Sequence, residues 1–247
     1  MSRRVLLVAA GIVAFAVFLV ALMPATLLMR WLPAGIAAAG LDGTIWSGRA
    51  SSVSMHGRSI GPTAWSCRPW RLPFLEWSCR VELRPPGGVV SIALAGDFDG
   101  VFEGRELAGR LPIPLLEGFV SPAGWTGWLE LDVDRLRVAN GRATDAEGRV
   151  VVRGLRAPGP DGAILGDFEL LIGKGAVGTG TLTGRLRDLG GPLRVRGTIE
   201  LTDDRSYLMS GEAAPGPGAG AAIFDTLAYL GPPDSLGRRA FTVEGSL

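Results

Sequence analysis

The residue types that perform most enzyme chemistry are scarce in this chain. Its 247 residues include a single histidine (His56), two cysteines, one lysine and no glutamine. One histidine cannot build a histidine-rich metal site, and no serine or cysteine has a recognisable histidine–carboxylate partner set. We therefore predict no catalytic residues, no metal ligands and no cofactor site, and we interpret His56 as an ordinary polar residue of a loop or strand.

Two short motifs have the residue types of ligand sites but lack the context that such sites need. Residues 173–178 match G-x-G-x-x-G, but a strand is predicted after them, whereas a nucleotide site needs a helix N-terminus there. We predict a hairpin turn instead. Asp97, Asp99 and the pair Asp203-Asp204 offer fewer oxygen ligands than the roughly six to eight that calcium takes, and we predict that they are turn residues.

The two cysteines lie in a repeated tetrapeptide. Trp65-Ser66-Cys67-Arg68 and Trp77-Ser78-Cys79-Arg80 stand symmetrically about Pro73. If the flanking segments pair as antiparallel strands, the two sulfur atoms can face each other. We hypothesise a disulfide between Cys67 and Cys79 in an oxidising compartment; two small buried thiols are the alternative.

The amino-terminal residues indicate in which compartment the rest of the chain lies. Residues 5–29 contain no charged side chain, and about 20 apolar residues suffice to cross a bilayer as a helix. Arg3 and Arg4 precede the apolar run, so the amino terminus is expected in the cytoplasm and the remainder outside it. We predict a single-pass anchor over residues 1–30 and a β-rich domain over residues 31–247. A cleaved signal peptide is the alternative.

Beyond the anchor, apolar and polar residues alternate with the period of two that is typical of strands. The clearest segments are residues 128–133 and 192–201, and further strands are predicted over residues 89–95, 149–155, 165–172, 178–186, 205–211 and 241–247. Asn140-Gly141, between two strand-like segments, predicts a type I′ hairpin turn.

Glycine recurs within this β material, at residues 43–48 (Gly-Thr-Ile-Trp-Ser-Gly), 180–184, 197–201 and 244–247. Glycine inside a strand usually marks a bulge, a bend or a close approach. We therefore predict a strongly curved sheet; biased composition is the alternative explanation.

One soluble segment predicts a helix, Ala219–Leu230. Its spacing places Ile223, Phe224, Leu227 and Leu230 on one face, and Gly231 followed by two prolines ends it. The predicted fold class is mainly β: one transmembrane helix, then one curved, extended antiparallel sheet domain with a short C-terminal helix.

The charge balance argues against nucleic acid as a partner. The chain has 25 Lys and Arg against 24 Asp and Glu, a formal net charge of +1. A near-neutral protein has no electrostatic footprint for a phosphate backbone.

The order of several short motifs resembles one known family. After the apolar run come LDGTIWSGRA (residues 41–50), WSCRPWRLPFLEW (65–77), GRLPIP (109–114), LGDF (165–168), GGPLRVRGT (190–198) and YLMSG (207–211). This succession resembles the type II secretion system protein N family (GspN), and Gly43, Thr44, Trp46 and Gly48 form its most specific element. The resemblance implies an inner-membrane protein with a periplasmic β-rich domain, accessory to the export of folded proteins across the outer membrane. It implies other inner-membrane secretion components as partners and no catalytic residues.

Glycine-rich strands after one anchor also resemble AsmA-like envelope proteins, in which a curved sheet would bind or conduct lipid; an enzyme is a third alternative. For partner binding, Trp46, Trp65, Trp70 and Trp77 are the aromatic candidates, because tryptophan is common at interface hot spots. Core packing is the alternative role for each of them. Lipid contact is predicted through residues 5–29.

Overall fold

The computed structural model describes residues 3–30, 32, 35–69, 76–97, 101–117, 123–139, 142–159, 162–173, 182–201 and 206–246. The chain divides into two compact units, Met1–Pro86 and Gly87–Leu247. Antiparallel strands build both units, so the chain is mainly β, as predicted. The boundary falls within the segment 85–88 (Pro-Pro-Gly-Gly), whose residue types favour a turn.

The first unit joins a helix to a four-stranded meander. Helix α1 spans Arg3–Ala21, and a 3₁₀ turn over Ala25–Arg30 follows it. The strands are β1 (Ile36–Gly43), β2 (Ser47–Met55), β3 (Arg58–Cys67) and β4 (Glu76–Leu83). Each strand pairs antiparallel with the next. Over the part of the chain that is described, no helix is both long and apolar enough to cross a membrane.

His56 lies in the turn between β2 and β3. Met55 pairs with Arg58, and His56 and Gly57 both have positive φ, 50° and 79°. Positive φ at both central residues is the geometry of a type I′ turn. The backbone N–H of His56 also donates to the carbonyl oxygen of Gly35, 2.7 Å away.

The second unit is a longer antiparallel meander with one helix. Its strands are β5 (Val89–Asp97), β6 (Val101–Pro112), β7 (Thr126–Ala139), β8 (Arg142–Arg156), β9 (Ile164–Gly173), β10 (Leu182–Asp188), β11 (Leu193–Leu201), β12 (Ser206–Pro215) and β13 (Arg239–Ser246). A 3₁₀ turn over Ile113–Leu116 follows β6. Helix α2 (Ala221–Ala228) lies between the last two strands. Each strand pairs with its sequence neighbours.

The longest hairpin is the one that the sequence predicts most clearly. Strands β7 and β8 pair as far as Ala139 opposite Arg142, which leaves two residues for the connection. Those two residues, Asn140 and Gly141, lie outside the described residues.

The sheet of the second unit has one apolar and one polar face, because side chains alternate along each strand. We call the side that carries Leu131, Val150, Leu170, Leu186 and Phe241 the apolar face; these residues lie in one row across neighbouring strands. The polar face is the opposite side, where the parallel row comprises Asp132, Arg149, Leu171, Arg185, Thr198, Ser210 and Thr242.

Helix α2 packs on part of the apolar face. Ile223 and Leu227 are each 3% exposed, and they form a core cluster with Phe168, Val195 and Ala213 of the sheet. Residues i and i+4 lie one above the other on a helix, so two turns bury a stripe only one residue wide.

The predicted helix boundaries and buried face need correction. The helix covers Ala221–Ala228 rather than Ala219–Leu230. Phe224 and Leu230, predicted to share the buried face, are 52% and 37% exposed. Phe224 is adjacent to Ile223, and a rotation of about 100° per residue turns its side chain away from the narrow contact.

Glycine allows neighbouring strands to approach closely on the apolar face. A Cβ built on Gly211 would lie 2.3 Å from the backbone oxygen of Arg196 and 2.7 Å from the Cα of Gly197, on the adjacent strand. A side chain at this position would therefore clash with the neighbouring strand, and a close approach of this kind is one of the roles of glycine inside strands. The strong curvature of the sheet stays a prediction.

Several predicted strands have different boundaries. Residues 43–48, interpreted as strand material, form the turn between β1 and β2. Of residues 178–186, the described part of the strand begins at Leu182, and residues 174–181 lie outside the described residues. Strands β1 and β6 have no regular alternation in sequence, and no strand was predicted at either.

Candidate functional site

The most specific sequence element, residues 43–48, forms a tight turn that we call the motif turn. Gly43 and Gly48 pair across β1 and β2 at its base. Gly43 has φ +93°, and a Cβ there would lie 2.5 Å from the carbonyl oxygen of Ser47. Glycine is the residue type that adopts this conformation without strain, which accounts for the first glycine of the motif.

Thr44 closes the motif turn from inside. Its N–H donates to the carbonyl oxygen of Ser47 at 2.8 Å. Its hydroxyl oxygen accepts from the N–H groups of Trp46 (3.2 Å) and Ser47 (3.1 Å). The hydroxyl also donates to the carbonyl oxygen of Ser47 at 3.4 Å. Threonine hydroxyls form such local bonds in turns, so four hydrogen bonds involving this residue fix the turn.

The motif turn binds the chain that leaves α1. Thr44 forms an isolated bridge with Pro24, and the N–H of Ile45 donates to the carbonyl oxygen of Met23 at 3.0 Å. Ile45 and Ala25 are buried there. These contacts attach residues 23–25 to the strands of the first unit.

Trp46 extends the attachment to the helix itself. Its indole Nε1–H donates to the carbonyl oxygen of Val20 at 2.8 Å. Val20 lies in the last turn of α1, where backbone carbonyls have no partner within the helix. The indole therefore fixes the helix end relative to the motif turn.

Trp65 and the two cysteines support the turn from the neighbouring strands. Trp65 lies opposite Gly48, a Cβ on which would lie 2.6 Å from the indole Cζ2, so the second glycine makes room for the ring. Its Nε1–H donates to the carbonyl oxygen of Thr44 at 3.1 Å. Cys67, whose N–H donates to the carbonyl oxygen of Trp46, is bonded to Cys79 (S–S 2.01 Å) directly across β3 and β4.

We call the motif turn, residues 20–25, Trp65 and the disulfide together the junction. Of the four tryptophans predicted for partner binding, Trp46 and Trp65 are half-buried and hydrogen-bonded within the junction. Trp77 is half-buried on β4, and Trp70 lies outside the described residues. Partner binding by these residues stays a prediction, and the internal contacts agree with the packing alternative for Trp46 and Trp65.

The polar face carries an ion network that was not predicted from the sequence. The side chain of Glu169 is 1% exposed and binds the Nε atoms of both Arg149 and Arg187. The hydrogen bond from Arg187, followed by that from Arg149, lowers the pKa of this carboxyl below its usual range, against an opposing effect of desolvation. The two arginines are 47% and 57% exposed, so water lies directly beyond the pair.

A second carboxylate is held in the same way. The Asp167 carboxylate accepts from the N–H of Gly154 (2.8 Å) and from the Nη1 of Arg153 (2.9 Å). The bond from Gly154, then the one from Arg153, lowers the pKa of Asp167, again with desolvation opposing. The signal for both networks is present in the alternation of β8, β9 and β10, where acids and arginines share one face.

The remaining chemical candidates do not assemble into a site. In the ranges that are described, no three His, Cys, Asp or Glu residues are placed to hold a metal ion. Asp97 ends β5 and Gly173 ends β9. The rest of the G-x-G-x-x-G segment, Asp99 and Asp203-Asp204 lie outside the described residues.

Comparison with known proteins gives the same family, over most of the chain, as the order of the sequence motifs. Residues 34–242 match the family described as type II secretion system (T2SS), protein N. The chain is 30% identical to the type II secretion system protein N of Aeromonas hydrophila over 258 aligned residues, which cover all of both chains. It is 25% identical to the protein of the same name from Vibrio cholerae serotype O1, over 87% of each chain. No solved structure matches the chain.

The family match begins at residue 34 and includes the whole motif turn. The full-length similarity to the Aeromonas protein also covers α1. The motifs, the antiparallel fold and the comparisons therefore agree: the chain belongs to the type II secretion system protein N family.

Proposed function

We propose that this protein is a non-enzymatic accessory subunit of a type II secretion system, anchored in the bacterial inner membrane and contributing to the export of folded proteins across the outer membrane. The observation that carries the proposal is the family match over residues 34–242, and the junction supports the anchored arrangement. Trp46 and Thr44 connect the apolar amino-terminal segment to the first sheet through hydrogen bonds to Val20 and within the motif turn. A membrane-anchored subunit that holds its strands at a fixed place in an assembly needs such a connection between anchor and strands.

The anchor is proposed over residues 5–29. The support for it is the sequence of this run, 25 residues without a charged side chain, because about 20 apolar residues suffice to cross a bilayer as a helix; α1 itself ends at Ala21. The side chains from Leu7 to Leu22 are exposed and apolar or glycine. With Arg3 and Arg4 in the cytoplasm, the β-strands of both units are proposed to lie in the periplasm, where the disulfide is stable.

The proposed partners are other inner-membrane components of the secretion system. The ionised groups that are best placed for chemistry, such as Glu169 and Asp167, are engaged with arginines. Carboxylates paired in this way stabilise the sheet rather than perform chemistry, and the surface of such a sheet can bind other subunits. We propose no cofactor and no nucleic-acid partner.

Site-specific photocrosslinking in cells tests this function. A photoreactive residue is placed at exposed positions of the two units, Arg49 and Thr242, and a third one at Phe15 of α1 reports contact with the bilayer. We expect secretion components to be recovered from the first two positions and lipid from the third. Recovery of lipid at all three positions, without any secretion component, would overturn the proposal.

A second candidate function is lipid binding along the apolar face of the second unit. The observation that favours it is that α2 packs on only part of this face. Ile172, Ile199 and Met209 remain half-exposed, and Val243 is 41% exposed. If the sheet is curved around this face, as the glycine pattern predicts, the face can form a groove for acyl chains.

Adjacent residues on opposite faces distinguish the two functions. Val243→Glu places a charge on the apolar face, whereas Thr242→Glu places the same charge on the polar face. If the groove holds lipid, mass spectrometry of the purified full chain will show less bound lipid for the first variant only. Equal lipid in both variants and the original chain contradicts this second function.

A further inference from the structure

Two adjacent strands on the polar face of the second unit carry four arginines. Arg185 and Arg187 lie on β10, and Arg194 and Arg196 lie on β11. Arg187 is directly opposite Arg196, while Arg185 is opposite Thr198. Like charges directly opposite each other destabilise a sheet, so this arrangement requires either internal carboxylates or an external anion.

Internal carboxylates do not neutralise the group. Glu169 binds both Arg149 and Arg187. Glu212, which is opposite Arg196, binds Arg238 at 2.8 Å instead.

Within the described ranges, Arg185, Arg194 and Arg196 have no carboxylate within ion-pair distance. The set of Arg149, Arg185, Arg187, Arg196 and Glu169 therefore has a formal charge of +3, from four positive groups and one negative group.

The surface between these side chains is concave. An open depression is lined by Arg185, Arg187 and Arg196 together with Thr198, Ser210 and Leu171, and no described carboxylate lines it. The hydroxyl oxygens of Thr198 and Ser210 are 3.3 Å apart, so a pair of hydroxyl groups adjoins the guanidinium groups. Arginine forks and hydroxyl donors are the groups that recognise a phosphate.

Carboxylates at the next row limit the size of the ligand. An adjoining depression is lined by the four carboxylates of Asp132, Asp134, Glu147 and Glu200 and by only two guanidinium groups, those of Arg149 and Arg185. Glu200 is two residues from Thr198 on β11, a spacing of about 7 Å. An extended polyanion would meet these carboxylates, whereas a single phosphate group fits within the basic depression.

We propose that this depression binds one phosphate group, either of a lipid headgroup or of a small soluble phosphate compound. Arg185, Arg187 and Arg196 provide the positive charge, and Thr198 and Ser210 donate hydrogen bonds to the phosphate oxygens. This site is separate from the junction and does not depend on the secretion function proposed above.

Phosphorus NMR of the full chain in non-ionic detergent micelles tests the site. Inorganic phosphate and dihexanoyl-phosphatidylglycerol are titrated separately, and line broadening measures binding. The patch variant is Arg185→Gln with Arg196→Gln. The matched control is Arg137→Gln with Arg156→Gln, which removes the same charge from exposed positions of the same unit. Circular dichroism checks that each variant is folded.

We expect the original chain and the control to bind at least one probe, and the patch variant to bind it at least about tenfold more weakly, because charge-assisted hydrogen bonds are lost. Binding of both probes indicates recognition of the phosphate itself, and binding of the lipid probe alone indicates the headgroup as the source. Equal loss in the patch and control variants would overturn the proposal, as would binding of a polyglutamate peptide with no response to either phosphate probe.

Discussion

Replacing Trp46 by phenylalanine removes one hydrogen bond from the junction and keeps most of the ring. The lost bond joins the indole Nε1–H to the carbonyl oxygen of Val20 at 2.8 Å. That oxygen keeps a second donor, the N–H of Met23 at 3.3 Å, so it is not left without a partner. A neutral hydrogen bond contributes about 1 kcal/mol net, and we expect the junction to be destabilised by about that amount.

Amide hydrogen exchange of the full chain in detergent measures this change locally. The N–H of Ile45 donates to the carbonyl oxygen of Met23 across the junction and exchanges when the junction opens. A loss of about 1 kcal/mol makes this exchange about fivefold faster. Peptides covering residues 20–25 and 43–48 should report the increase.

Thr44 provides a stronger perturbation with its own control. Thr44→Ala removes the acceptor of two backbone N–H groups, at about 2 kcal/mol and therefore about thirtyfold faster exchange. Thr44→Ser keeps the hydroxyl oxygen and should keep most of the protection, while Trp128→Phe in the second unit should change nothing at the junction. If Trp46→Phe and Thr44→Ala both leave exchange at residues 43–48 unchanged, the junction does not hold the helix end as we infer.

Three further predictions concern the disulfide, the ion network and helix α2. Mass analysis of unfolded, unreduced protein treated with a thiol reagent should show no labelling of Cys67 or Cys79, and reduction should cost about 3 kcal/mol of stability for a 12-residue separation; two labelled thiols would contradict the bond. Because the pKa of Glu169 is lowered in the folded state, its carboxylate stabilises the fold above its unfolded pKa of about 4.3 and loses this effect as pH falls through the folded pKa. Glu169→Gln should therefore lower stability by about 1 kcal/mol at neutral pH and make urea midpoints fall less steeply on acidification, and parallel curves for both proteins would contradict this. Leu227→Ala should destabilise the second unit by about 2–4 kcal/mol because the side chain is 3% exposed, whereas Phe224→Ala should cost less than about 1 kcal/mol; equal losses would show that the helix packs differently.

The sequence predicts well those strands whose two faces differ. Residues 192–201 alternate regularly between apolar and polar side chains, and β11 occupies Leu193–Leu201. The same holds for the β7–β8 hairpin, where alternation and a two-residue Asn-Gly connection agree. In both cases one face of the strand packs against other residues of the protein and the other face contacts water. Under this condition the alternation of apolar and polar side chains is informative.

Strand β1 was missed for the opposite reason. Ile36–Gly43 reads Ile-Ala-Ala-Ala-Gly-Leu-Asp-Gly, in which alanine and glycine fit either face, so its pairing with β2 is decided by tertiary contacts. The motif turn shows a related limit. Gly48 and Trp46 could be located in the sequence, but the role of Gly48 depends on Trp65 and that of Trp46 on Val20, and both partners are distant along the chain.

The ion network around Glu169 could be inferred only in part. The alternation of β9 and β10 places acids and arginines on one face, but the pairing of Glu169 with Arg187 depends on the register between these strands. A shift of one residue would place the arginine on the other face. The sequence contains the residues, and strand register decides which of them meet.

Export into the culture medium is the most direct test of the central claim, that the chain serves a type II secretion system. The gene is deleted, and a secreted enzyme that requires the system is measured in medium and in cells. Strains are complemented with the original chain, with Trp46→Ala plus Thr44→Ala, or with the Arg156→Gln control, at matched protein levels. We predict that the deletion retains the folded enzyme in the cells, that the original chain and the control restore export, and that the junction variant restores it incompletely. Unchanged export in the deletion strain would contradict the claim.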